Sequence, residues 1–278
     1  MRKNKKKEIK KNTSASVIKT NKTALITGAS SGIGEATALL LAQNGYSLIL
    51  TARRLSRLKQ LSQRCLELGA PLVQVYKLDV QSPSQVTGLA NDLKKKKVSL
   101  DVLVNNAGLA KGVEPFQSSE AKDIDLMFDT NVKGLLYMTR ELLPLLVRSG
   151  GHIVNMGSVA GRLVYEGGAV YCATKFAVRA ISDALRLDLK GTGVRVSNIE
   201  PGMVQTEFSS VRLGNQQKAN AVYADMMPLN AMDIAEIILW CLSRPRHVNI
   251  SELVVYPTDQ ASVGHVVRGE KSTAKLFS

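Results

Sequence analysis

The stretch Thr27-Gly28-Ala29-Ser30-Ser31-Gly32-Ile33-Gly34 decides how the rest of the chain reads. It follows a short β-rich run, residues 23–27, and opens an amphipathic stretch, residues 34–44. Glycines at such a hand-over permit a tight turn and let the backbone approach a pyrophosphate. The helix that follows presents free N–H groups and the positive end of its dipole to the anion. A glycine-rich turn alone is weak evidence, but a strand before it and a helix after it supply the context of a dinucleotide site. Gly28, Ser30, Ser31, Gly32, Ile33 and Gly34 are its candidate residues.

Outward from this turn, short β-rich runs alternate with longer amphipathic stretches, a rhythm that implies a parallel sheet with covering helices. Seven strands are expected, at residues 23–27, 47–51, 72–77, 101–104, 152–155, 194–199 and 253–256. Helical periodicity is clearest over 34–44, 55–68, 124–147, 170–190 and 234–242. The lysine run 94–97 reads as a solvated helix end. The least regular interior stretch, 205–229, is polar and Gly-containing and reads as a mobile loop or lid.

The chain has 278 residues, 45% hydrophobic and 22% charged, the composition of an ordinary globular protein. An α/β fold of roughly 250 residues is commonly one unit, so one domain is expected over 21–262, between a basic arm, 1–20, and a C-terminal tail, 263–278. Apolar runs such as 36–42 and 142–147 fall well short of the roughly 20 residues that cross a bilayer, which excludes a spanning helix. Cys65, Cys172 and Cys241 are widely separated and show no metal-ligand spacing, so neither a disulfide framework nor a metal site is expected, and a reducing cytoplasm is the simplest location.

The formal net charge is +14, but residues 1–22 hold nine Lys/Arg against the single acid Glu8 and so supply +8 of it. Residues 1–20 lack the apolar core of a secretory signal and read as a solvated arm. No aromatic residue interleaves its lysines, so no nucleic-acid partner is expected.

Two further constellations carry chemistry. At the end of the second strand, where an acid would bind an adenosine ribose, the chain reads Thr51-Ala52-Arg53-Arg54. Paired guanidiniums there suit a 2′-phosphate, which points to NADP(H) over NAD(H). Tyr171 and Lys175 are four apart and share a helix face. A phenol near pKa 10 is a poor base at neutral pH unless a cation supports its phenolate, and Lys175 can do so. Ser158, just beyond the fifth strand, can donate to a substrate carbonyl oxygen as hydride transfer builds charge there.

These residues resemble the classical short-chain dehydrogenase/reductases over roughly residues 22–260. The family's TGxxxGxG turn is similar to residues 27–34, its NNAG segment to Asn105-Asn106-Ala107-Gly108, its YxxxK pair to Tyr171 and Lys175, and its PG segment to Pro201-Gly202. Asn131 and Ser158 match its helix Asn and its Ser. The resemblance implies a single-domain Rossmann fold, a doubly wound seven-stranded parallel sheet with helices on both faces. It also implies that Asp79 and Val80 lie near the adenine, that Asn105, Ala107, Gly108, Pro201, Gly202 and Val204 line the cofactor, and that Thr206 contacts the carboxamide of the nicotinamide. Tyr171 would exchange the proton, Ser158 orient the carbonyl oxygen, Lys175 support the phenolate and bind ribose, and Asn131 hold a water linking Lys175 to solvent.

The segments 150–168, 170–190, 194–212 and 246–257 resemble one subgroup, the NADP-dependent 3-hydroxy acid or serine 3-dehydrogenases. That likeness implies a small substrate such as serine, 3-hydroxypropionate or a semialdehyde, with Arg212 in the lid as a candidate for the carboxylate. It also implies a homotetramer built on the helices 124–147 and 170–190. A 3-oxoacyl-carrier-protein reductase would carry the same motifs, and an NADPH-binding regulator that uses the basic arm is the reading from outside enzymes.

Overall fold

Strand β1, Thr23–Thr27, divides its side chains between two cores: Ala24 and Ile26 face one, Leu25 the other, and all three are buried. A strand covered on both faces reads as a continuous apolar run, and its length and bounding turns identify it. The computed structural model describes residues 21–276; the expected basic arm, 1–20, lies outside them.

Along the chain β1 is followed by α1 (Gly32–Gln43), β2 (Ser47–Ala52), α2 (Leu55–Glu67), β3 (Val73–Lys77), α3 (Pro83–Lys95), β4 (Val102–Asn105), α4 (Ala121–Phe128), α5 (Leu135–Ser149), β5 (His152–Met156), α6 (Ala169–Asp188), β6 (Arg195–Pro201), α7 (Glu207–Leu213), α8 (Gln216–Val222), α9 (Ala231–Ser243) and β7 (Glu252–Val255). These seven strands pair in parallel in the order β3-β2-β1-β4-β5-β6-β7. Helices α1, α2 and α9 cover one face, and α3, α5 and α6 the other. The fold is the expected doubly wound Rossmann-type domain. Its winding reverses between β1 and β4, so a crevice opens at their carboxyl ends, where such sheets hold ligands.

The expected strands are all present, with ends displaced by a residue or two. The lysine run does close a helix: Lys94 and Lys95 form the last turn of α3, and Lys96 reaches back to Asp92 at 2.7 Å. Two expectations need correction. The helix expected over 124–147 is interrupted by a π turn at Asp129–Gly134, within which the side chain of Asn131 bonds the backbone N–H and C=O of Leu109. One added residue shifts the phase of a 3.6-residue pattern by about 100°, and in an apolar-rich segment a single shift of that kind does not stand out from the residue types.

The stretch 205–229 is not an irregular loop either. It contains α7 and α8, capped by Thr206 and Asn215, whose side-chain oxygens accept from Phe208 N and Lys218 N. Its stem is stapled where Gln205 N donates to Leu229 O at 2.8 Å and Leu229 N to Met203 O at 3.0 Å. Helices this short show little periodicity, so composition alone reads as loop.

Residues 263–276, expected as a tail, fold back on this lid. Strands β8 (Gln260–Ser262) and β9 (His265–Val266) form a hairpin. Asp259 accepts from Met227 N at 2.7 Å and Thr273 N at 2.6 Å, and Arg268 donates to Val222 O and Ala224 O.

At the start of β5 His152 is 1% exposed, with Nε2 2.8 Å from Ser197 Oγ on β6. Ser197 donates its own proton to Ile250 O, so Nε2 carries the imidazole hydrogen, and Nδ1 has no partner among the described residues. Burial, reinforced by the charge of Arg195, pulls this imidazole down to about 3. The unfolded chain therefore takes up a proton near pH 6.5 that the native protein refuses, and stability falls as pH drops below that value, by about 2 kcal/mol at pH 5. Between pH 6.5 and 5 the unfolding midpoint of His152→Gln should depend less on pH than that of the wild type; equal slopes would show that His152 is not the cause.

Candidate active site

The cradle at the crevice is made by two turns clasped together. Thr27 is buried at the end of β1, and its Oγ1 accepts the backbone N–H groups of Asn106 at 3.0 Å and Ala107 at 2.9 Å. Asn106 Nδ2 donates back to Thr27 O at 2.9 Å. Glycine is required on the facing turn: Gly28 has φ +64°, and a Cβ there would come 2.9 Å from Ala107 Cα, while one on Gly34 would come 2.5 Å from Asn106 Nδ2.

Above this clasp lies a cavity of about 590 Å³ along the carboxyl ends of the strands. Of the residues expected at the site, Gly28, Ser30, Ser31, Gly32, Ile33, Arg53, Arg54, Asp79, Val80, Ala107, Gly108, Ser158, Tyr171, Lys175, Pro201, Gly202, Val204, Thr206 and Arg212 line it. Gly34, Asn105 and Asn131 are not on its wall, and each has a physical reason. Gly34 packs on the clasp. Asn105 faces the α5 and α6 side of the sheet, where its Nδ2 donates to Thr139 Oγ1 and Asn155 Oδ1, both at 2.9 Å. Asn131 sits just behind Gly108, where a Cβ would lie 3.3 Å from its Oδ1 and 3.7 Å from Lys175 Nζ. Its Oδ1 accepts Leu109 N at 2.8 Å, and its Nδ2 donates to Leu109 O at 2.8 Å and Thr174 Oγ1 at 3.1 Å.

At one end of the cavity Tyr171 and Lys175 project from the first turns of α6. Lys175 is buried, donates to Met156 O at 2.8 Å and lies 5.7 Å from the Tyr171 ring centroid. Burial lowers this ammonium to about 8. Burial also pushes the Tyr171 phenol well above its ordinary value, and the neighbouring Tyr165 adds to that. A hydrogen bond from Ser158 and the charge of Arg212 pull it the other way. Ser158 caps the turn Val159–Gly161 by accepting from Ala160 N at 3.1 Å. That turn leads into Arg162, which bridges Glu200 and Glu252.

Arg212, in the last turn of α7, reaches over the same end. Its Nε donates to Gly112 O at 2.8 Å and its NH1 to Tyr165 OH at 2.9 Å, and the guanidinium carbon lies 5.7 Å from the Tyr171 ring centroid. Phe208 closes the side of Tyr171, with ring centroids 5.6 Å apart. At the opposite end Arg54 bonds Ser30 Oγ at 3.1 Å, Ser31 Oγ at 2.7 Å and Glu207 at 2.9 Å, and Glu207 also receives Arg57 at 2.6 Å.

Asn106, Tyr165, Phe208, Arg57 and Glu207 were not singled out in the sequence. The alternation of a strand end offers a signal for Asn106, because adjacent asparagines there face opposite sides. Tyr165, Phe208 and Glu207 are ordinary residues that only the folded chain brings to the cavity, and Arg57 joins them only through its ion pair with Glu207.

A doubly wound sheet whose crevice runs from a glycine turn with two arginines to a Ser-Tyr-Lys trio defines a dinucleotide-dependent oxidoreductase. The family profile described as short chain dehydrogenase matches residues 22–217, and the chain belongs to that family. An NADP-dependent 3-hydroxy acid dehydrogenase of Salmonella typhi is 45% identical over 243 residues, which cover 86% of this chain and 96% of the relative. One from Schizosaccharomyces pombe is 42% identical over 250 residues, covering 89% and 96%. Among solved structures, the closed form of a serine dehydrogenase complexed with NADP+ matches with a TM-score of 0.82 at 43% identity, covering 89% of this chain and 99% of that one.

The clasp gives a direct test. Thr27→Val leaves the Ala107 N–H without its acceptor and should lower unfolding stability by about 1–3 kcal/mol, with weaker nucleotide binding. Thr27→Ser should retain both, as read by chemical denaturation and fluorescence titration.

Proposed function

We propose that this protein is an NADP(H)-dependent oxidoreductase that interconverts a small 3-hydroxy acid with its 3-oxo acid or semialdehyde. The observation that carries the substrate class is Arg212. Its guanidinium is held by Gly112 and Tyr165 over the ring of the tyrosine that would exchange the proton. A fixed cation beside the reacting alcohol suits a carboxylate a short chain away. The relatives named for 3-hydroxy acids and serine support the same reading.

The residues present fit the cofactor. Ser30, Ser31, Arg53 and Arg54 gather hydroxyls and positive charge at one end of the cavity, which suits a 2′-phosphate. Thr130 Oγ1 is buried and has no partner among the described residues, although its residue lines the cavity, so a bound polar group would satisfy it. Bound there, NADP(H) supplies or accepts the hydride. Tyr171 gives its proton to the carbonyl oxygen in reduction and recovers it from the alcohol in oxidation. Ser158 polarises that oxygen. Lys175 steadies the phenolate and the cofactor ribose. Asn131, with its side chain committed to Leu109 and Thr174, shapes the π turn beside Lys175.

The same reading extends to a homotetramer. Leu136 and Val147 on α5 and Phe176 and Leu187 on α6 are exposed apolar side chains that such an assembly would cover. Light scattering of the purified protein measures it.

The decisive assay follows NADPH absorbance with serine, 3-hydroxypropionate and short semialdehydes, with acetoacetyl thioesters and NAD(H) as comparisons. Turnover of free acids with NADP alone is expected; turnover confined to thioesters would replace the reading with acyl reduction. Arg212→Ala should raise KM for 3-hydroxypropionate by about 10- to 100-fold, the size of a lost charge-assisted bond, and leave neutral carbonyls unaffected.

The pH profile has a definite sign. Reduction needs a protonated Tyr171, which burial favours, and a charged Lys175, whose charge is present below about 8 and lost above it. Reduction should therefore be flat at neutral pH and fall as pH passes about 8. Lys175→Arg, which cannot lose its charge there, should retain a flat profile in whatever activity it keeps.

A further inference from the structure

Helix α7 touches both ends of the cavity. Its last turn carries Arg212, fastened to the loop after β4, and Gly112 N also donates to Arg212 O at 3.2 Å. Its first residue, Glu207, reaches across the other end to α2 and to the residue preceding it, with Oε2 on Arg54 at 2.9 Å and Oε1 on Arg57 at 2.6 Å. A helix of seven residues is about 10 Å long, so this one element spans from the arginines to the ring of Tyr171.

Arg57 does not line the cavity, and its bond to Glu207 is the one side-chain interaction it makes among the described residues. Arg54 is different: one edge of its guanidinium holds Glu207, while Nε and the other edge hold Ser30 and Ser31. Arg53, Arg54 and Arg57 carry three positive charges against the one carboxylate of Glu207. The surplus matches a phosphate monoester of about two negative charges, so Glu207 and a 2′-phosphate can share the cluster.

We propose that Glu207 is a positioning residue that latches the lid helix to the arginine cluster, so that retention of NADP(H) and placement of Arg212 over the substrate depend on the same tie. Arg57 is the dedicated partner in that latch. The proposal rests on the NADP(H) reading given above. Side-chain exposures of 43–46% for the three groups make the tie weak and salt-sensitive. That is the strength expected of a fastening that must open each time cofactor and product leave.

The test is a double-mutant cycle on the full-length enzyme with Arg57→Gln, Glu207→Gln and the double variant. NADPH dissociation is read by stopped-flow fluorescence, KM and kcat with 3-hydroxypropionate, and thermal midpoint alongside. A latch predicts that both single variants release NADPH about three- to fivefold faster and raise KM to a similar extent, with kcat little changed. The double variant should then be no worse than either single one. Added salt should speed release from the wild type more than from Arg57→Gln.

A purely local charge effect predicts opposite signs, because Arg57→Gln removes a positive charge near the phosphate and Glu207→Gln removes a negative one. Opposite signs, additive effects, or unchanged release rates in protein that binds NADPH would overturn the latch. Failure of the wild type to bind NADPH would instead overturn the cofactor reading on which it rests.

Discussion

One hydroxyl, Thr27 Oγ1, receives two backbone N–H groups from the turn after β4, and through it the two halves of the sheet share a cradle. A sheet that winds outward in both directions from β1 and β4 has nothing in its strand ladder beyond the strand ends to hold the two emerging turns together. Thr27, Asn106 and the facing glycines do that, at separations too small for any other residue type at Gly28 or Gly34. The position of the first helix, and of every cavity residue it presents, follows from this clasp.

A second set of neutral polar groups carries the alignment across the sheet. Asn105 on β4 and Asn155 on β5 are in register, and their side chains tie to Thr139 on α5 and Ser182 on α6. Buried amides are directional where apolar packing is not, so they set how α5 and α6 lie against the strands. That sets where Tyr171 and Lys175 stand relative to Ser158. Burial then governs both ionisable groups, opposing phenolate in one and ammonium in the other. It favours the proton-donor form of Tyr171, and Ser158 and Arg212 moderate that preference.

The lid is built on other terms. Its stem is stapled to the strand ends and its rear is strapped by Asp259 and Arg268, but its ties across the cavity are partly exposed ion pairs and hydrogen bonds. A rigid cradle beneath a weakly fastened cover is the distribution of local stability that lets ligands pass without unfolding the core.

The glycine turn, the β/α rhythm and the Ser-Tyr-Lys spacing were legible in the chain because each depends on local geometry: a turn that only glycine permits, a period of two or of 3.6, a pair four apart on one helix face. What the tertiary structure decided is every feature that depends on residues distant in sequence. Asn105 reads as a cavity residue and is a sheet tie, because which face a strand-end side chain takes is settled by the register of its neighbours. Asn131 reads as a continuous-helix residue, because a single phase shift within an apolar-rich segment leaves no distinct mark in the residue types. The lid reads as loop, because two capped helices of seven residues gain their order from Thr206, Asn215 and a C-terminal strap rather than from propensity. Glu207 and Arg57 are 150 residues apart, and nothing in either segment alone says that they meet; only closure of the chain around the cavity brings the two charges within bonding distance.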